Sequence, residues 1–278
     1  MTQENSKCDD QLKFLRQEID AIDSQLLELF EKRMQVVNRV GNLKTSHKEK
    51  FFIRSNREAD MIKDLLKRVS LFPKSAIVTI WRKIIVAANM HEQPLKIALC
   101  ESENLDVCKG LTREYYSSSV PIDVFENAAR AMTALKNNDV QIGVFALPNA
   151  LNSADWWVDL AENIDGNSEG LKVFARIPFY ESDDEIFVAV AAKNAEKSSE
   201  DNSLVYIEVA DGTLEPQILL GFDDGGFTGA RVLKSAIVGD NLAYLVEVPG
   251  FFAGDAFKDL SVGCVVKVIG NYALPVRV

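Results

Sequence analysis

The sequence predicts a multidomain protein in which an all-helical N-terminal segment is followed by α/β structure. Residues 1–93 contain one glycine, Gly41, and one proline, Pro73, and their apolar residues recur at three- and four-residue steps. After Pro94, short β-rich runs are separated by Gly, Pro, Asn and Asp. With 278 residues, 47% of them apolar, the chain has enough material for two or three hydrophobic cores.

The first predicted element is one very long helix from Gln11 to about Lys48. Its apolar positions follow the helical period, and they are Leu12, Leu15, Ile19, Ile22, Leu26, Leu29, Phe30, Val36, Val37 and Val40. At 1.5 Å per residue this helix is about 55 Å long, which exceeds the width of a small domain. Because a single chain cannot bury the whole stripe, the pattern indicates a partner chain.

Two shorter helices are predicted next. The tetrapeptide Ser-Asn-Arg-Glu at 55–58 has the pattern of a capping box and is followed by apolar residues at helical spacing. A third helix is predicted from about Ser75 to His91, and Pro94 ends the helical part.

The remainder is predicted to form two α/β parts. Strands 96–100, 122–125 and 142–147 alternate with helices 105–116 and 128–136, which is a βαβαβ order. Strands 204–209, 230–238, 242–248 and 264–269, with a short helix at 253–260, predict a small α/β sandwich. The polar stretch Ala195–Asn202 is the best linker candidate. The predicted domains are therefore 1–94, 95–200 and 201–278.

The charge distribution argues against polymeric partners. The net charge is −10, and residues 1–94 carry 17 Lys+Arg against 13 Asp+Glu, which leaves 14 against 28 for the rest. An acidic protein without a clustered basic face is a poor partner for nucleic acid or an anionic membrane. The polar residues Met1–Gln11 and the lack of an apolar run of about 18 residues predict a cytoplasmic protein.

The four cysteines, Cys8, Cys100, Cys108 and Cys264, are far apart and contain no C-x-x-C pair. This spacing indicates reduced structural thiols rather than a zinc site or a disulfide framework. No cofactor or metal is expected.

Cations on the helical stripes are the strongest functional signal. Arg33 and Lys44 are eleven residues apart, so they share one helix face about 16 Å apart and could hold a small anion between them. Arg16 lies about 25 Å from Arg33 on another face and cannot reach the same ligand from one straight helix. A dimeric neighbour could supply it. The alternative for each cation is solvation or pairing with nearby acids.

Residues 12–93 resemble the all-helical class of chorismate mutase. The resemblance rests on Leu15-Arg16-x-x-Ile19-Asp20-x-Ile22-Asp23-x-x-Leu26-Leu27-x-Leu29-x-x-x-Arg33, on Val40-Gly41-x-x-Lys44 and on Arg57-Glu58. It implies an intertwined homodimer of three-helix chains in which each site receives one arginine from the partner. It also implies chorismate as the substrate and prephenate as the product.

The resemblance assigns a role to each residue of this set. Arg33 and the partner chain's Arg16 would bind the two carboxylates of chorismate, Lys44 would contact the ether oxygen, and Glu58 would accept the ring hydroxyl. Arg57 accompanies Glu58 in the family pattern. Such a site needs no nucleophile, because the rearrangement is a one-step pericyclic reaction that fixed charges and a compact conformer can accelerate.

Three positions depart from the family pattern. Arg54 stands where an acid is common, and Ala88 stands where a serine is common, so contacts to the substrate hydroxyl would be weaker. Glu92 stands where the family usually has a glutamine that hydrogen-bonds the ether oxygen. A carboxylate there would repel the developing negative charge, whereas a protonated carboxyl would donate as the amide does. Glu92 is therefore expected to act as a neutral acid, the alternative being a solvated residue at a helix end.

The β-rich remainder resembles prephenate dehydratases that carry an amino-acid-sensing (ACT) domain. Residues 265–272 are similar to the closing strand of that ferredoxin-like domain, and 144–149 are similar to a conserved dehydratase loop. The catalytic Thr-Arg-Phe is replaced by Asp-Glu-Ile-Phe at 184–187, which predicts a dehydratase-like lobe without dehydratase activity. Gly-Thr-Leu at 212–214 keeps part of the effector motif, whereas Lys-Ser-Ala at 234–236 does not, so an amino-acid effector is left open.

The sequence therefore predicts a chorismate mutase with a degenerate dehydratase and sensing tail. Two alternatives remain open at this point. The first is an isochorismate-pyruvate lyase on the same helical scaffold, and the second is a non-catalytic regulator of aromatic-pathway enzymes.

Overall fold

The computed structural model describes residues 2–46, 53–101, 104–148, 155–162, 164, 170–181, 186–192, 195–210, 212–260 and 265–277, with side chains in the first range from residue 9 to 43. The chain divides into two compact units, Met1–Phe52 and Ile53–Val278. The predicted division into 1–94, 95–200 and 201–278 stays a prediction. No helix in the described ranges has the length and apolar content needed to cross a membrane.

The first unit is the predicted long helix, α1, which runs from Thr2 to Ser46. Its large apolar side chains lie open to solvent, and the exposed ones are Leu12, Phe14, Leu15, Ile19, Ile22, Leu26, Leu27, Leu29, Phe30, Val36, Val40 and Leu43. Phe14 is 66% exposed and Leu43 64%. Contiguous apolar surface of this extent is rare on monomeric proteins and marks a contact surface.

Helices α2 (Ser55–Arg68) and α3 (Lys74–Glu92) open the second unit. The predicted capping box at the start of α2 is wrong, because no described side chain caps this helix. The Ser55 hydroxyl donates instead to the carbonyl of Phe174 at 2.5 Å, and the Glu58 carboxylate binds Arg82. The Ser55 hydroxyl and the Glu58 carboxylate therefore bind residues that are distant in the sequence instead of capping α2.

The rest of the second unit is built around one mixed sheet. Its described strands are β1 (Ile97–Cys100), β2 (Ile122–Phe125), β3 (Ile142–Ala146), β4 (Lys172–Ile177), β5 (Phe187–Ala191), β6 (Asp201–Ala210), β7 (Arg231–Val238), β8 (Asn241–Pro249) and β9 (Val265–Ala273). Its helices are α4 (Leu105–Tyr116), α5 (Ala128–Lys136), α6 (Trp156–Glu162) and α7 (Glu215–Asp224). The strand order is β2-β1-β3-β5-β4-β9-β6-β8-β7.

The first half of the sheet confirms the predicted βαβαβ order. Strand β1 pairs in parallel with both β2 and β3, and β5 then joins β3 in the antiparallel sense. Helix α6 contributes two fully buried indoles, Trp156 and Trp157. Trp156 stacks on Phe145 of β3 and donates to the carbonyl of Ala146 at 2.8 Å, whereas Trp157 contacts Tyr206 of β6. The two tryptophans are packing residues.

The second half consists of β6 to β9 in the antiparallel order β9-β6-β8-β7, with α7 between β6 and β7. The predicted helix at 253–260 is wrong. Gly254 has a φ of +55°, and the amides of Ala256, Lys258 and Leu260 each bond three residues back, so the segment forms successive turns.

Strands β4 and β9 join the two halves through a parallel pairing of Val173 with Gly270. Gly270 has a φ of +153°, and a Cβ built there would lie 2.5 Å from the amide nitrogen of Val173. No side chain fits between the two strands at this point. Glycine is therefore required where one half of the sheet continues into the other.

We predict that Gly270→Ala lowers the free energy of unfolding by about 3 kcal/mol, because it adds backbone strain and a steric overlap with Val173. Gly110, within α4, has open space around its missing Cβ. The control Gly110→Ala should therefore leave stability unchanged or raise it by up to about 1 kcal/mol. Urea denaturation followed by circular dichroism measures both, and equal stability of the two variants would refute the packing argument.

Candidate functional site

The predicted site residues belong to both units. Arg16 is exposed and Arg33 half-buried on α1. The backbone of Lys44 lies in the last turns of the same helix, and its side chain falls outside the described residues. Seventeen residues of helix separate Arg16 from Arg33, so their Cα atoms are about 25 Å apart. The structure thus places these two arginines on one helix but not at one site.

Within the second unit, α2 and α3 bring part of the predicted set together. Glu58 is buried near the start of α2, and Ala88 is buried near the end of α3. The amide of Asn89 donates to Glu58 Oε1 at 3.1 Å, which ties the two helices together at this level. Glu92 lies one helical turn beyond Ala88 and is half-buried.

Arg54 and Arg57, at the start of α2, have different surroundings. Arg54 Nη1 lies 2.6 Å from Glu196 Oε1, so this side chain is engaged with the segment that precedes β6. Arg57 is exposed beside the buried Glu58. Of this pair, Arg57 is the cation available to a ligand at the surface.

Glu58 is held in place by an arginine that the sequence analysis missed. Arg82, on α3 and 4% exposed, donates from Nη1 to Glu58 Oε2 at 3.0 Å. Its guanidinium also lies 3.6 Å from the centre of the Tyr115 ring, a cation–π contact. The signal was present in the sequence, since Arg82 interrupts an apolar stripe of α3 as Arg33 does on α1.

The surroundings of Arg82 keep it charged. Burial opposes the charge, but Tyr115 and Glu58 more than compensate, so the pKa of Arg82 is raised above its usual value. Burial raises the pKa of Tyr115 and of the neighbouring Tyr116, so both phenols stay neutral. Glu58 and Arg82 therefore form a buried ion pair in an aromatic surrounding.

This arrangement leaves Glu58 able to accept a further hydrogen bond. Each carboxylate oxygen has one described donor, Asn89 on Oε1 and Arg82 on Oε2, whereas a carboxylate offers about four acceptor positions. A ligand hydroxyl that reached Glu58 would meet an oriented acceptor. The arrangement can position a hydroxyl group.

Four polar contacts fix α2 against residues 95–278, the part of the second unit that contains the sheet (the sheet unit). Asn56 donates to Asp201 Oδ1 at 2.9 Å, and Asp60 accepts from the hydroxyl of Ser199 at 2.6 Å. Lys63 pairs with Glu200 at 3.1 Å, and Ser55 binds the Phe174 carbonyl described above. The stretch 195–202, predicted as a linker, is thus the surface on which α2 is anchored.

The dehydratase-like positions are only partly described. Asp184 and Glu185 lie outside the described residues, and Ile186 directly precedes β5. Gly212 and Thr213 precede α7, where the Thr213 carbonyl accepts from the Tyr244 hydroxyl at 2.8 Å. Lys234 to Ala236 lie within β7.

Comparison with known families identifies the helical segment. Residues 15–93 match the family described as chorismate mutase type II. This range includes Arg16, Arg33 and Lys44, together with Glu58 and Glu92. The resemblance predicted for the helical segment is confirmed.

Curated relatives place the same kind of segment in a longer enzyme. The bifunctional chorismate mutase/prephenate dehydratase of Aquifex aeolicus (strain VF5) is 34% identical over 94 residues, which cover 32% of this chain and 26% of that protein. The bifunctional chorismate mutase/prephenate dehydratase of Pseudomonas aeruginosa is 27% identical over 152 residues, which cover 52% and 41%. The chain spans less than half the length of these relatives, and the longer match extends beyond the helical segment.

Solved structures were also compared. A prephenate dehydratase from Streptococcus mutans aligns with 66% of this chain and all of its own length, at 12% identity and a TM-score of 0.45. A protein described as "GqqA- a novel type of quorum quenching acylases" aligns with 64% of this chain and 94% of its own length, at 13% identity and a TM-score of 0.49.

We predict that Arg82→Met destabilises the protein by about 3–5 kcal/mol, because it leaves Glu58 buried without its cation. The double variant Arg82→Met/Glu58→Gln should recover part of this loss, since no unpaired charge remains. Urea denaturation of the two single variants and the double variant measures the coupling.

An exposed ion pair provides the control for this cycle. Arg130 and Glu126 are 3.3 Å apart with side chains that are 66% and 68% exposed. Arg130→Met should change stability by less than about 1 kcal/mol. Additive effects in the Arg82–Glu58 cycle would show that the two groups do not interact as described.

Proposed function

We propose that the chain is a chorismate mutase that converts chorismate to prephenate in the biosynthesis of aromatic amino acids. The observation that carries this proposal is the match of residues 15–93 to chorismate mutase type II, at a spacing that includes Arg16, Arg33 and Lys44. The homology to bifunctional enzymes that contain a mutase supports it.

The chemistry needs only positioning and charge. The rearrangement breaks an ether bond and forms a carbon–carbon bond in one step, with negative charge developing on the ether oxygen. A rate gain of about a millionfold corresponds to about 8 kcal/mol of transition-state stabilisation. Oriented cations in a site that excludes water can supply an effect of that size.

The proposal assigns roles to four of the predicted residues. Arg33 binds one substrate carboxylate, Arg16 of the partner chain binds the other, and Lys44 donates to the ether oxygen. Glu58 accepts the ring hydroxyl, with Arg82 and Asn89 holding its carboxylate in position. Arg82 and Asn89 are thus positioning residues, since they act through Glu58.

The proposed assembly is a homodimer in which each chain donates Arg16 to the other. The exposed apolar stripe of α1 supports it, because side chains such as Ile19, Ile22 and Leu26 are about half exposed in the single chain. A second copy of the same helix would cover that stripe. The same pairing brings Arg16 within reach of a site that its own helix cannot serve.

The proposed role of the remainder is regulatory or structural. The absence of the dehydratase Thr and Arg at 184–187 supports loss of dehydratase activity. The order β9-β6-β8-β7, with α7 after the first of these strands, supports an ACT-like ferredoxin fold for residues 201–278. An amino-acid effector would then act through this part of the chain.

Incubation of the purified protein with chorismate, and separately with isochorismate, tests the proposal. Formation of prephenate alone is the expected result. Phenylpyruvate would show that dehydratase activity survives, and pyruvate from isochorismate would identify a lyase. A protein that turns over neither compound would be a non-catalytic regulator, and the proposal would be wrong. Addition of Phe, Tyr or Trp to the active protein tests the effector.

We predict that Arg33→Ala lowers kcat/KM for chorismate by about 10²–10³, as expected for loss of a charged contact to the transition state. Arg39 is an exposed arginine on the same helix, so Arg39→Ala serves as the matched control and should keep wild-type kinetics. The disappearance of chorismate, followed by ultraviolet absorbance, gives both values. Equal activity of the two variants would remove Arg33 from the site.

We predict that Glu92→Gln keeps at least the wild-type kcat/KM for chorismate, because an amide donates a hydrogen bond to the ether oxygen, whereas a carboxylate would repel the negative charge that develops there. Glu28→Gln, on an exposed part of α1, serves as the matched control and should keep wild-type kinetics. The disappearance of chorismate gives both values, and a loss of activity in Glu92→Gln alone would contradict the assignment of Glu92 to the ether oxygen.

A further inference from the structure

A cavity lies between α2 and the sheet unit, and Glu58 is not among its lining residues. It has a volume of about 880 Å³ and is bounded by the later part of α2, by 199–202, by the ends of β4 and β9, and by 274–277. A cavity of this size is in the range that encloses small metabolites. The proposed mutase reaction uses none of its lining.

The charge of this lining is opposite to that of the surrounding domain. Six described cations line it, and they are Lys63, Lys67, Lys74, Arg176, Arg231 and Arg277. Three described acids line it, and they are Glu181, Glu200 and Glu247. Three of these cations, Arg176, Arg231 and Arg277, come from residues 95–278, which carry twice as many acids as cations.

Each of the three acids already has a cation. Glu200 pairs with Lys63 at 3.1 Å, Glu247 with Arg231 at 2.5 Å, and Glu181 with Arg277 at 2.7 Å. Three cations of the lining, Arg176, Lys67 and Lys74, have no carboxylate partner within 4 Å among the described residues. Among the described residues, the lining therefore has three more cations than acids, an excess that a bound anion would match.

Arg176 is the most informative of these three. It extends from β4, is half-buried, and donates from Nη1 to the carbonyl of Pro178 at 2.9 Å, which fixes its direction. Burial lowers the pKa of Arg176, although Tyr272 and Glu247 act in the opposite sense. A guanidinium that is partly desolvated and lacks a paired anion gains from an anionic ligand.

The uncharged part of the cavity lining indicates what else the ligand must contain. The Tyr272 hydroxyl donates to the buried Glu247, and burial raises the pKa of Tyr272 far above its usual value, so the phenol stays neutral. Apolar side chains from Leu66, Ile186 and Leu274 form part of the wall. This combination suits a ligand with an apolar body rather than an inorganic anion.

We propose that this cavity binds a small organic dianion, a compound with two carboxylate groups on an apolar ring or chain. Arg176 contacts one carboxylate, and Lys67 and Lys74 face the other. Because Lys63 and Lys67 belong to α2, a bound ligand also stabilises the docking of α2 on the sheet unit. The proposal is independent of the mutase activity, since it uses none of the residues assigned to that reaction.

Isothermal titration of the full chain with 2-phenylsuccinate tests this proposal, because this compound has a ring and two carboxylates. We expect saturable binding that weakens at high salt and persists in Arg33→Ala. Arg176→Gln should weaken it by about tenfold or more, as expected for loss of a charged hydrogen bond. Lys258→Gln, an exposed lysine of the same unit outside the cavity, should leave it unchanged.

Two further ligands and one further variant separate the alternatives. Succinate, without the ring, and 3-phenylpropionate, with one carboxylate, should each bind at least tenfold more weakly than 2-phenylsuccinate. Arg33→Ala should bind 2-phenylsuccinate like the wild type, which separates this cavity from the proposed mutase site. The inference is overturned by a lack of saturable binding, by equal losses in Arg176→Gln and Lys258→Gln, by equal affinity for the monocarboxylate, or by loss of binding in Arg33→Ala.

Discussion

The apolar stripe of α1 is the constraint on which the rest of this molecule depends. Twelve large apolar side chains along one 45-residue helix are exposed in the single chain. Full burial of a fully exposed side chain of this kind contributes about 1.5–3 kcal/mol, and these side chains are about half exposed, so covering all twelve would contribute roughly 9–18 kcal/mol, which is comparable with the net stability of a domain. A second copy of α1 has the same length and the same pattern of apolar residues, so it is the simplest partner that would cover the stripe.

The need to cover the apolar stripe with a partner helix also explains the positions of the cations on α1. Arg16 and Arg33 cannot meet on one straight helix, but an antiparallel partner can exchange them between two equivalent sites. In this account assembly and catalysis are one property, because the interface that covers the apolar stripe also completes each site. The carboxylate of Glu58, the proposed hydrogen-bond acceptor, is held in position by its ion pair with Arg82 and by the hydrogen bond from Asn89.

Helix α2 connects the two functional regions of the second unit. Its first turn presents Glu58, and its later turns present Lys63 and Lys67 to the 880 Å³ cavity. Polar contacts to 199–201 anchor the helix between these points. A ligand in the cavity would therefore act on the helix that carries Glu58, which gives the sheet unit a physical route to influence the proposed reaction.

Much of the fold follows from local patterns in the sequence. The helices at 105–116 and 128–136 and the strand at 122–125 lie where the sequence pattern predicts them. The errors arise where long-range contacts decide. Ser55 and Glu58 have the residue types and spacing of a capping box but bind Phe174 and Arg82 instead, and Gly254 interrupts the predicted helix at 253–260.

The candidate site, too, is predicted from the sequence only where local spacing determines it. Sequence spacing predicts the cations of α1, because a family pattern and helical geometry agree there. It does not predict Arg82 or Asn89, since their partner Glu58 is 24 and 31 residues away. Nor does it predict the 880 Å³ cavity, whose cations come from α2, α3, β4, β7 and the C-terminal segment and meet only in the folded protein.

Complementation between two inactive variants tests the central claim most directly. Arg16→Ala and Arg33→Ala chains are unfolded together, refolded as a mixture and assayed with chorismate. If each site takes Arg16 from one chain and Arg33 from the other, half of the randomly paired dimers contain one intact site, and roughly a quarter of wild-type activity returns. Activity no higher than that of the separate variants would contradict a site shared between two chains.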